Sequence, residues 1–301
     1  MKLAYGPGVR EAIDARRGVV ALESTVIAHG LPRPRNLETA RQLEADVRAA
    51  GALPATICGA DGVLAVGAGD ALLSRLANED SVAKVSTWDL APFLARQPAG
   101  LGATTVAATC EVAARAGIEV FATGGIGGVH RGAERTLDVS ADLRALATCP
   151  VVVVCAGAKL VLDLPKTLEA LETLGVPVVG YGTDELPAFY VRSSGLALPH
   201  RADAPDSVAR IARLQLGRGA GMLVCVPIPE ADALPRDEIE REIDAALAAA
   251  DRAGVHGAAL TPVLLARLGG STTGRTLEAT VALLRNTAHV AARIATALAG
   301  I

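Results

Sequence analysis

Short runs of β-branched residues alternate with Ala- and Leu-rich stretches along the whole chain, and this alternation restricts the fold more than any other feature. The candidate strands are Val19–Thr25, Ala55–Ile57, Val63–Val66, Lys84–Thr87, Glu119–Thr123, Val151–Cys155, Val176–Tyr181 and Met222–Pro227. Several are apolar without interruption, as strands covered on both faces must be. Helical stretches fit between them: Leu37–Ala50 behind Asn36 as N-cap, Thr104–Ala116, Pro165–Leu174, Arg236–Ala253 and Thr276–Leu298. Gly51, Gly117, Gly175 and Gly254 stand where four of them should stop. The pattern predicts one α/β domain over residues 1–301, a three-layer α/β/α arrangement with a largely parallel central sheet. The Gly182–Pro205 stretch is the least regular and reads as loop.

Composition narrows the function. Half the residues, 51%, are apolar, which excludes disorder. A formal charge of −3 gives no basic face for nucleic acid or anionic membrane, so neither is expected as a partner. The five cysteines form no C-x-x-C pair and mostly lie in apolar runs, as in a reducing compartment. The first residues carry charges where a signal peptide needs an apolar stretch, and no uncharged run reaches the roughly 20 residues of a membrane span. These features predict a soluble, cytoplasmic protein.

Ligands of open α/β sheets bind beyond the carboxyl ends of the strands, so the residues there carry the chemistry. After Val151–Cys155 comes Ala156-Gly157-Ala158-Lys159, in a chain with only four lysines. A desolvated lysine beside another cation loses its proton towards neutral pH, and a neutral amine can form a Schiff base with a sugar aldehyde. The plainer reading is a surface lysine at a helix start. Glu23 ends an apolar strand, where a carboxylate suits a general acid or a buried ion pair. Gly124–Gly128, followed by His130 and Arg131, could cradle a phosphate with backbone N–H groups or could simply be a tight turn. Asp138-Val139-Ser140-Ala141-Asp142 places three oxygen-bearing side chains in five residues; they suit Mg²⁺ or Mn²⁺, a helix N-cap at Ser140 or Asp142, or both. No metal-like histidine spacing and no G-x-S-x-G elbow are present.

Five stretches carry a resemblance. They are Ala21–Thr25 with His29–Pro32, Gly102–Val106, Phe121–Gly132, Asp138–Leu143 and Cys155–Lys159. In this order, between about residues 5 and 298, the chain resembles the pseudouridine-5′-phosphate glycosidase family, the indigoidine synthase A-like proteins. The resemblance implies an α/β/α homotrimer that uses Mn²⁺ and reversibly cleaves the C–C bond between uracil and ribose 5-phosphate. It implies that Lys159 is the Schiff-base lysine and Glu23 the proton donor. Lys84, Val106, Ser140, Ala141 and Asp142 match substrate-binding positions, Asp138 matches the metal ligand, and His130 stands beside them as a further substrate-binding residue.

The chain departs from the family at two places. Many members have Ser-Arg-Arg-Asp or Ser-Thr-Arg-Asp where Ser86-Thr87-Trp88-Asp89 stands, and many have an Asn where Thr280 stands. Both departures bear on the aglycone rather than on the pentose phosphate. Some relatives form the same bond on a polycyclic aromatic aglycone in antibiotic biosynthesis, and that is the alternative expectation. A non-catalytic sugar-phosphate binding protein and a Schiff-base aldolase are the two others.

Overall fold

The structure is a computed structural model, and it describes residues 1–96, 99–255, 263 and 274–301. Eleven strands are described: β1 (Leu3–Tyr5), β2 (Val19–Leu22), β3 (Leu53–Ala60), β4 (Val63–Val66), β5 (Ala83–Val85), β6 (Leu101–Thr104), β7 (Val120–Ala122), β8 (Val152–Cys155), β9 (Val178–Tyr181), β10 (His200–Ala202) and β11 (Met222–Cys225). They form a mixed sheet in the order β1-β4-β3-β2-β7-β8-β11-β9-β10, with β6 paired to β3 and β5. All strand pairs are parallel except β3–β4 and β3–β6. The centre is built from the continuous apolar runs: β2, β7, β8 and β11 are buried along their whole length. A strand with a neighbour on each edge and helices on both faces has no solvent side, so it has no polar alternation.

Strand β3 serves two sub-sheets. Its first half, Leu53–Thr56, runs parallel to β2, and its second half, Ile57–Ala60, pairs antiparallel with β4 and β6. Asp61 and Gly62 join β3 to β4 with φ of 51° and 78°, the left-handed conformations of a two-residue hairpin. The branch through β6 brings in β5, with Lys84 level with Ala103.

Helices cover both faces. The Arg275–Ala299 helix lies over β2, β7 and β8 and against the helices Arg35–Ala49 and Pro205–Leu216. The Val106–Ala116 helix lies over β2, β3, β6 and β7 and against the Ala141–Thr148 helix, which in turn meets the Leu164–Thr173 helix. The larger hydrophobic core runs from Val9 to Leu298, and a smaller one gathers Ile27, Cys58, Leu73, Leu76 and Leu101. Among the described residues no helix is long and apolar enough to cross a membrane.

Several sequence expectations shift. The extended run from Val19 stops at Leu22, because Glu23-Ser24-Thr25 turns out of the sheet. The segment Ser86–Thr87 is not strand but the start of a 3-10 turn, Thr87–Asp89. Thr104 belongs to β6, and the following helix begins at Val106 with the Thr105 hydroxyl accepting from the Ala108 N–H. Asn36 is not an N-cap; it sits in the first turn of Arg35–Ala49, where its amide donates to the carbonyls of Ile27 and Ala77. Within Gly182–Pro205, His200–Ala202 pairs with β9 as an edge strand.

Candidate active site

The carboxyl ends of β2, β5, β7 and β8 open onto a cavity of about 410 Å³, within the range that encloses a small molecule. Glu23, Lys84, Val106, His130, Asp138, Ser140, Ala141, Asp142 and Lys159 all line it. Residues scattered over 137 positions of sequence thus meet in one place.

Glu23 leaves the end of β2 half-buried, and its carboxylate accepts from the hydroxyls of Thr25 and Thr123. The next residue points the other way. The buried Ser24 hydroxyl donates to the Ile57 carbonyl at 2.7 Å and accepts the Thr104 N–H at 2.8 Å. Thr104 repeats the contact with Ile57 at 2.7 Å. This stitching fixes the turn that aims Glu23 at the cavity. A π-turn, Val26–Gly30, follows directly and presents His29 to the same space; such turns recur at functional sites.

Lys159 follows β8, its N–H donating to the Ile126 carbonyl at 3.0 Å. Lys84 reaches the cavity from the branch strand β5 and keeps much of its surface open to it. Even so, its ammonium is held below the ordinary lysine range, first by the desolvating protein around it and then by the charge of Lys159. Glu23 and Asp142 pull in the opposite direction. His29 is also pushed down, by burial and then by the charge of Lys84, so its imidazole is neutral near pH 7.

The glycine run works differently from a phosphate cradle. The N–H of Ile126 goes to the Gly157 carbonyl, that of Gly127 to Asp142 at 2.7 Å, and that of Val129 to Thr167 at 3.0 Å. A side chain at Gly127 would stand 2.3 Å from the Ser140 oxygen, and one at Gly128 2.4 Å from the Thr167 oxygen. The glycines are therefore required for close approach of neighbouring segments, and three donors expected to face a phosphate are already engaged.

The Asp138–Asp142 stretch divides its labour. Asp138 to Ser140 is extended, with His130 N–H donating to the Asp138 carbonyl and Ser140 N–H to the Gly128 carbonyl. Ser140 then caps the Ala141–Thr148 helix, accepting from the Asp142 N–H. Asp142 does not share the face of Asp138. It is buried, and its two oxygens accept the N–H groups of Ala107 at 2.9 Å and Gly127 at 2.7 Å. It clamps the start of the Val106–Ala116 helix to the glycine run, so two helix N-termini meet at the cavity with the Asp142 carboxylate already bonded to one of them.

His130 is buried, and its Nδ1 has no hydrogen-bond partner although it stands 3.8 Å from an Asp138 carboxylate oxygen. Burial, and to a lesser degree the charge of Lys159, keep this imidazole neutral against the pull of Asp138. A carboxylate and an orphaned imidazole nitrogen across such a gap are a donor pair of the kind that would suit a divalent cation. Among the described residues no group of three or more His, Cys, Asp or Glu gathers to hold a metal, in this cavity or outside it, so His130 and Asp138 stand as a pair.

Trp88, Phe189 and Leu284 also line the cavity. Trp88 is 84% exposed at its rim, on the 3-10 turn that a reciprocal Ser86–Asp89 capping box locks. Phe189, with φ of 59°, covers Gly124 and Gly125. Tyr190 meets it edge-on at 4.7 Å and bonds the Thr280 hydroxyl at 3.2 Å. The sequence reading passed over His29, Phe189, Tyr190 and the hydroxyls of Ser24, Thr25, Thr104 and Thr123. The polar Glu-Ser-Thr triplet directly behind an apolar strand was the one available signal.

Comparison with known proteins places this geometry. Residues 8–297 match the family described as indigoidine synthase A like protein. The pseudouridine-5′-phosphate glycosidase of Solibacter usitatus is 53% identical over 300 residues, covering 99% of this chain and 100% of its own. The prealnumycin C-glycosynthase AlnA, solved in complex with ribulose 5-phosphate, superposes with a TM-score of 0.91 at 42% identity, covering 100% of this chain and 98% of its own. An indigoidine synthase A-like protein of Thermotoga maritima gives 0.88 at 34% identity, covering 99% and 97%.

Proposed function

The chain belongs to the indigoidine synthase A-like family, and from that membership we propose that it is a C-glycosidase of the pseudouridine-5′-phosphate type, making and breaking the C–C bond between uracil and ribose 5-phosphate. The observation that carries the reading is the meeting of Lys159, Lys84 and Glu23 in one cavity beside two helix N-termini.

A carbon–carbon glycosidic bond has no leaving-group oxygen to protonate, so paired-carboxylate hydrolysis is closed to it. An amine opens another route. Lys159 Nζ adds to C1′ as the bond from C1′ to the ring oxygen breaks, and that oxygen takes a proton. Glu23 then delivers a proton to the ring carbon of uracil that is bonded to C1′. The C–C electron pair leaves with uracil while the nitrogen lone pair forms the C1′=N bond. Water adds to this iminium and releases ribose 5-phosphate and Lys159. Bond formation runs the same steps in reverse. Lys84, already inclined to release its proton, can exchange protons with the opened sugar hydroxyl.

The phosphate would sit at the converging starts of the Val106–Ala116 and Ala141–Thr148 helices, near Val106, Ser140 and Ala141. Its binding energy, remote from the reacting carbon, positions C1′ against Lys159. Asp138, with His130 beside it, would hold Mn²⁺, which supplies charge neutralisation for the phosphate when bound. Ribulose 5-phosphate, the molecule bound to AlnA, cannot close a furanose ring because its 5-oxygen is esterified; this supports a site shaped for an open pentose phosphate. The enzyme acts in the cytoplasm as a homotrimer in this reading. Five free, buried cysteines suit a reducing compartment.

The test is borohydride reduction in the presence of ribose 5-phosphate, followed by mass spectrometry. The native protein should gain one reduced pentose-phosphate adduct and Lys159→Ala none. An adduct that persists in the variant would place the nucleophile elsewhere.

A further inference from the structure

We infer that Trp88 is the stacking platform for the aglycone, and that this end of the site selects its partner by a flat aromatic face rather than by polar edges; the inference rests on the C-glycosidase reading above. The chain has one tryptophan. It stands 84% exposed on the rim of the cavity that holds Lys84 and Lys159, four residues beyond Lys84. Leaving so large an apolar ring in water is unfavourable unless something covers it. The ring is not loosely attached. Ser86 accepts the Asp89 N–H while Asp89 accepts the Ser86 N–H at 2.9 Å, so the turn beneath the indole is fixed from both ends.

The far wall agrees. The Thr280 hydroxyl donates its only proton to the Thr276 carbonyl at 2.7 Å, so the 3.2 Å contact with Tyr190 is one in which the tyrosine donates. Thr280 therefore has no proton to offer an aglycone. Phe189 and Leu284 line the same cavity and present carbon to it. A planar aromatic ring whose carbon bonds C1′ would find a ring to lie on and apolar groups around it.

A lone tryptophan makes the inference directly measurable. Intrinsic fluorescence, corrected for absorbance, is followed while uracil or a hydroxynaphthoquinone is titrated into the full protein with ribose 5-phosphate present. A saturable change should appear with at least one of them and be absent in Trp88→Phe. In steady-state synthesis, Trp88→Ala should raise KM for that aglycone roughly tenfold, as loss of one base–aromatic stack does, with a much smaller change in kcat, and Trp88→Phe should recover most of the loss. No change in emission with either aglycone would overturn the inference, as would a KM within twofold of native in Trp88→Ala. So would an emission that follows protein dilution and ignores both aglycones, since that marks a contact between copies. The borohydride trap needs no aglycone, so a missing adduct defeats the imine while a silent tryptophan defeats only this assignment.

Discussion

Three residues at the cavity differ in what they are free to do. Glu23 is held by two hydroxyls yet faces the ligand, so Glu23→Gln should still bind ribose 5-phosphate and form the reducible imine. Turnover of pseudouridine 5′-phosphate should fall by about 10²–10⁴-fold, the usual loss when a positioned proton donor is removed; stopped assays beside the borohydride trap check both halves. Lys84 keeps much of its surface open, so it contributes little to stability. Lys84→Met should therefore abolish turnover and leave the melting temperature close to native, which an activity assay beside a thermal scan measures. Gly127→Ala should lower affinity for ribose 5-phosphate, because the added carbon lands on Ser140 at the cap of the Ala141–Thr148 helix; calorimetric titration reads it. Lys159 and Glu23 were legible from their places behind apolar strands, whereas Lys84 opens its strand and took its role only from the family resemblance. The engaged N–H groups of the glycine run were not, since their partners lie on other segments.

Elements meet through packing first and charge second. The Arg275–Ala299 helix is tied to Arg35–Ala49 by Arg285–Asp46 at 2.7 Å and Arg35–Glu278 at 2.8 Å, both exposed enough to contribute about 0–1 kcal/mol each. Its buried stripe includes Leu283, Ala291 and Ile294. In urea unfolding, Ile294→Ala should cost about 2–5 kcal/mol and Arg285→Ala under about 1 kcal/mol. Asp142 joins two elements through two charged hydrogen bonds, so Asp142→Ala should cost about 1–3 kcal/mol and also raise KM for ribose 5-phosphate. The long helices were visible in the apolar spacing of the chain. Strands β1, β6 and β10 lie at an edge or on the branch and carry no run of β-branched residues, so they left no pattern. The Asp61-Gly62 hairpin, and with it the antiparallel half of β3, went unread, although Asp-Gly between two apolar runs is a hairpin signal.

At the scale of the molecule, acid sensitivity follows from the two cavity histidines. Both are held below the ordinary value of 6.5 by burial, so below that pH the unfolded chain binds protons that the folded chain resists. Stability should fall as pH drops from about 6.5, and His130→Gln should flatten the slope in a series of thermal melts.

The alternation of buried runs and helices determined the α/β class and the line of the sheet, because burial on both faces leaves its mark on every residue of a strand. It also determined that Glu23 and Lys159 end such strands, since strand ends are local. Tertiary structure alone decided that Lys84 arrives from a side branch to face them, that Asp142 turns inward as a clamp, and that the His130 nitrogen is left without a partner opposite Asp138. Each of those outcomes depends on which distant backbone group or charge lies within a few ångströms, and no spacing along one chain encodes that distance.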